Sequence, residues 1–86
     1  MKLGLYCIFD SVSDSAIVIG TAPTDGAFIR QNVPYLSKMN DNYLNDYKVF
    51  KVGEFTESTM EVTGSSPTPV SWDAYGNPET KATIVK

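Results

Sequence analysis

The run Leu3-Gly4-Leu5-Tyr6-Cys7-Ile8-Phe9, closed by Asp10-Ser11, constrains the fold of this chain more than any other segment. Side chains alternate across a strand, so Leu3, Leu5, Cys7 and Phe9 share one face, and Gly4, Tyr6 and Ile8 the other. Apolar side chains on both faces suit a central strand, or one whose second face is covered by a partner. The turn formers Asp10-Ser11-Val12-Ser13-Asp14-Ser15 then loop the chain back, and Ala16–Thr21, with Ile17-Val18-Ile19, reads as a β-branched second strand.

Pro23-Thr24-Asp25 opens a helix with Thr24 or Asp25 as N-cap. Ile29, Val33 and Leu36 fall at helical spacing with Phe28 beside them. Pro34 is expected to end or kink the helix near Val33, with a further short turn through Tyr35–Met39. Asn40-Asp41-Asn42 and Asn45-Asp46 mark loop, with Tyr43 and Leu44 tucked against the core. Tyr47–Phe55 is the next strand: Tyr47, Val49, Lys51 and Phe55 are expected on one face, and Phe50 and Val52 on the other. Gly53 marks a bulge or a close backbone approach. Thr59–Thr63 reads as a short edge strand with Met60 and Val62 facing inward. From Gly64 the Gly-Ser-Ser-Pro-Thr-Pro composition predicts a mobile tail, in which Trp72, Tyr75 and Ile84-Val85 are candidates for docking on a neighbouring subunit. The expected architecture is α+β: residues 1–63 form a mainly antiparallel sheet of three or four strands with one packed helix, order β-β-α-β-(β), and residues 64–86 form a polar tail.

At 86 residues the chain is one domain. Such a chain buries only about 60% of the surface its unfolded form exposes, so it gains from a disulfide, a metal or self-association. Cys7 is the single cysteine, and there is no histidine. Self-association, at least to a dimer, is therefore the expected route. A lone thiol in an apolar run behaves as a small hydrophobe and fits a reducing cytoplasm. No stretch approaches the roughly 20 apolar residues of a membrane span.

The sequence offers little for catalysis. A nucleophilic Cys7 would need a base that the chain does not offer in histidine form, so no enzyme and no cofactor is expected. Asp10, Asp14 and Asp25 can gather at one sheet end as Mg²⁺ ligands, but loop aspartates are far more often turn formers and caps, and no metal is expected. Nucleic-acid binding has one chemical signal. Tyr47-Lys48-x-Phe50-Lys51 interleaves aromatics with cations, Tyr6 can lie on a neighbouring strand, and Arg30 near a helix start can meet phosphate. From the residues alone the opposing readings weigh more: Tyr47 and Phe50 as core, the lysines as a solvated edge, Arg30 paired with Asp25 or Asp10. The net charge of −3 lends nucleic acid no support.

Met1-Lys2-Leu3 … Tyr6-Cys7-Ile8-Phe9-Asp10-Ser11, Asp25-Gly26 … Ile29-Arg30 and Asp46-Tyr47-x-x-Phe50-x-Val52-Gly53-x-Phe55 together resemble the small nonstructural protein of gokushovirus-type microviruses, tailless phages with single-stranded DNA. The resemblance covers about two-thirds of the chain, although the family often carries more basic residues. It implies a non-enzymatic accessory of viral DNA replication or packaging in the host cytoplasm, binding single-stranded DNA through Tyr6, Arg30, Tyr47, Lys48, Phe50 and Lys51. The alternative is a protein-interaction module that engages another phage protein or a host factor through a sheet edge or the tail.

Overall fold

The computed structural model describes residues 1–72. Strand β1 (Lys2–Asp10) pairs with β2 (Ser15–Ala22); helix α1 (Asp25–Met39) and a one-turn helix α2 (Tyr43–Asp46) follow, then β3 (Tyr47–Thr56) and β4 (Glu61–Val70). The strands form one antiparallel four-stranded sheet in the order β2-β1-β3-β4. The α+β architecture with one packed helix and the order β-β-α-β-β is as the sequence predicts.

One face of the sheet holds the core. Tyr6 and Ile8 of β1, Ala22 of β2 and Tyr47 and Val49 of β3 are buried against Phe28, Ile29 and Leu36 of α1. Thr24 caps the helix, its Oγ1 accepting from the Ala27 amide at 3.1 Å. The helix does not stop at Val33. It runs through Pro34 to Met39, because a proline there removes a single amide from the ladder while Leu36, fully buried, holds the next turn against the core. The Asn-rich loop is tied locally: the Asn40 and Asn42 side-chain amides both donate to the Asp46 carboxylate, at 3.0 and 3.2 Å. Tyr43 packs on the core, whereas Leu44 is exposed, contrary to expectation.

Further expectations are corrected in β3 and β4. Between Leu5 and Tyr6 the register to β3 slips by one residue, from Gly53 to Lys51. This bulge returns Phe55, opposite Leu3, to the face away from the helix, where Phe50 lies opposite Cys7. Gly53 is also a point of close approach, since a Cβ there would lie 2.3 Å from the Thr63 carbonyl oxygen. Strand β4 does not end near Thr63; the expected tail boundary at residue 64 falls inside it, and the ladder reaches Val70 opposite Val49. Pairing with β3 overrides the weak strand propensity of Gly-Ser-Ser-Pro-Thr-Pro. Met60 sits in the preceding turn at φ 62°, and both it and Val62 are exposed rather than inward. Trp72 docks on its own chain, donating Nε1–H to the Tyr47 carbonyl at 3.2 Å and meeting Tyr43 edge-on. Tyr75, Ile84 and Val85 lie outside the described residues.

Candidate functional site

Strand alternation and the packed helix separate the six residues expected to bind DNA. Tyr6 is 1% exposed, its ring stacked on Phe28 at 4.9 Å and its hydroxyl donating to Asp25 Oδ1 at 2.6 Å. Burial, then the neighbouring carboxylate, raise the Tyr6 phenol well above the ordinary tyrosine range. Tyr47 is buried on the same side. Neither ring can take a base, because a stacking platform must present at least one face to solvent and both of these rings are buried in the core beneath α1. Lys51 lies opposite Tyr6 and belongs to the helix side of the sheet. Arg30 is exposed on α1; among the described residues the one ion pair joins Lys2 and Glu54 at 3.8 Å, so the expected Arg30 pairing is not formed, and Asp25 instead accepts from Tyr6. Only Lys48 and Phe50 come together on the face that α1 leaves open.

That open face is the candidate site. Leu3, Leu5, Cys7 and Phe9 of β1 lie half-buried on it, opposite Phe55, Phe50 and Lys48 of β3 and Thr21, Ile19 and Ala16 of β2. A groove of about 310 Å³ runs between Cys7, Phe9, Ala16, Phe50, Val52 and Pro67. Phe9 and Phe50 meet edge to face at 6.4 Å across the two central strands, and Lys48 stands opposite Phe9. Of the strand positions on this face, Lys48 alone carries a charge. Ile19 and Val62, at 67% and 59% exposed, extend the apolar surface to the two rims. Cys7 sits in the middle, and burial raises its thiol pKa, which keeps it protonated and weakly nucleophilic.

Sequence reasoning placed Leu3, Leu5, Cys7 and Phe9 on one face but did not connect them to Phe50, Val52 and Phe55. The bulge hides that connection, because a strict alternation through Gly53 sends Phe55 to the wrong side. Among the described residues no group of three or more acidic, thiol or imidazole side chains is arranged to hold a metal ion, and no helix is long and apolar enough to cross a membrane. Comparison of the chain with protein-family models, with curated proteins and with solved structures finds no match.

Proposed function

We propose that this protein is a non-enzymatic accessory, of the kind its resemblance to microvirus nonstructural proteins implies, and that it acts by holding a protein partner on the open sheet face. One observation carries the reading: the groove between Cys7, Phe9, Ala16, Phe50, Val52 and Pro67 is lined without a charged side chain in a chain of net charge −3. Exposed contiguous apolar surface of this kind marks protein contact. Nucleic acid, by contrast, is met by clustered cations, and this face has one. The test is a photo-crosslinking residue placed at Ile19 on the face and, separately, at Tyr35 on the outer side of α1. Discrete protein adducts from position 19 and none from position 35 are expected. No adduct from position 19 would refute the reading.

One observation favours a second reading. Phe9 and Phe50 lie on adjacent central strands on the uncovered face of the sheet, with Lys48 beside Phe9, and single-strand binders stack bases on such aromatics next to cations. This reading requires salt-sensitive binding of single-stranded DNA that Lys48→Glu abolishes and Lys51→Glu, on the other side of the sheet, leaves in place.

A further inference from the structure

We infer that the partner seated on the open face is a second copy of this chain, the two sheets packing face to face. The inference rests on the reading of that face as a protein-binding surface, and three observations select the copy as its occupant.

The first is area. Four strands of eight to ten residues, spaced about 4.8 Å apart and rising about 3.3 Å per residue, present a flat footprint of roughly 500–600 Å². Two copies then cover about 1,000–1,200 Å² before side-chain relief is counted, which reaches the lower bound for a specific, stable pair. The second is charge. Two acidic copies repel each other wherever carboxylates meet, but the strand positions of this face carry none. Lys48 lies near one end of β3, so a two-fold axis perpendicular to the strands sets the two Lys48 side chains at opposite ends of the interface. The third concerns the other way in which small sheets pair, edge to edge. Both edges are blunted: β2 carries a bulge at Ile17, between the pairs Ile8–Val18 and Phe9–Ala16, and β4 carries Pro67 and Pro69. Among the described residues the open face therefore suits self-association better than either sheet edge.

Cys7 reports on this interface without any label, because it lies mid-face and the copy would cover it. The experiment follows the rate of Cys7 alkylation at fixed pH, alongside molar mass by sedimentation velocity, on the full chain from about 1 to 100 µM. For a dissociation constant on the order of 10 µM, mass action lowers the free-monomer fraction, and with it the alkylation rate, about fourfold over that range. Ile19→Lys places a charge next to Cys7 at a position already 67% exposed, so the fold survives it, as a thermal melt would verify. That variant is expected to remain monomeric with a concentration-independent Cys7 rate, and Tyr35→Lys on α1 to dimerise as the parent does. A monomer throughout, a dimer that leaves Cys7 as reactive as in the monomer, or a dimer indifferent to Ile19→Lys would each overturn the inference. If the copy fails but position 19 crosslinks to another protein, the proposed function stands with a different occupant. If both fail, that reading falls as well.

Discussion

Gly53→Ala tests the close approach of β3 and β4 beside the open face. Gly53 and Gly64 are paired in register across β3 and β4, yet their surroundings differ completely. A Cβ on Gly53 would lie 2.3 Å from the Thr63 carbonyl oxygen and 3.2 Å from the Gly64 Cα, whereas a Cβ on Gly64 meets nothing within 4 Å. The atoms near Gly53 are backbone, so no side chain can swing aside. The strands must part by about 1 Å to restore ordinary contact. Overpacking of this kind costs about 1–3 kcal/mol, and weakening one ladder hydrogen bond adds about 1 kcal/mol. The smaller backbone entropy of unfolded alanine returns about 0.4–1 kcal/mol. The net loss is about 1–3.5 kcal/mol, or roughly 5–25 °C in Tm for a domain of this size. Gly64→Ala, with the same entropy gain and no clash, is expected to raise stability by about 0.5 kcal/mol. Thermal melts with urea titrations measure both. Gly53→Ala within about 0.5 kcal/mol of the parent would show that β3 and β4 do not approach at Gly53 as described.

Tyr6→Phe removes the hydroxyl that donates to Asp25, and is expected to cost about 1 kcal/mol near neutral pH because the exposed carboxylate can be resolvated. The folded state raises the Tyr6 pKa above its unfolded value, so this stabilisation is complete below about pH 10 and is lost as pH rises through the folded value. Urea titrations at pH 8 and pH 11 should therefore find the gap between parent and variant narrowing at the higher pH; a constant gap would contradict the buried, carboxylate-bound phenol. Met60 closes the turn of residues 57–60 at φ 62°, a conformation costing a side chain about 1–2 kcal/mol. Met60→Gly is expected to stabilise by about 0.5–1 kcal/mol after glycine's own entropy cost, and a lowered Tm would count against the left-handed turn. Asp14 closes the turn of residues 11–14 in the same way at φ 58°, but with a residue type that tolerates it.

Much of the fold was legible because local chemistry and tertiary environment agree. Thr24 caps α1 since its hydroxyl reaches an amide three residues on, and that is a purely local event. The faces of β1 follow from alternation without interruption. The candidate site was less legible. Its central aromatics, Phe9 and Phe50, belong to segments far apart in the chain, and Phe55 joins them only through the bulge. Tyr6 and Tyr47 resemble stacking residues in sequence, but an aromatic beside a cation looks alike whether a helix covers it or solvent does.

The sequence by itself determined the order of elements, the helix start and the two apolar faces of the first strand, because these depend on capping, turn chemistry and side-chain alternation over a few residues. Tertiary structure alone decided three things. Pairing to β3 carried β4 through Gly64 and its prolines to Val70, since a partner's hydrogen bonds outweigh weak strand propensity. Burial of Leu36 carried α1 past Pro34. The side of the sheet that α1 occupies decided which apolar face became core and which stayed open, and that choice depends on packing volumes from distant parts of the chain, which no local pattern contains.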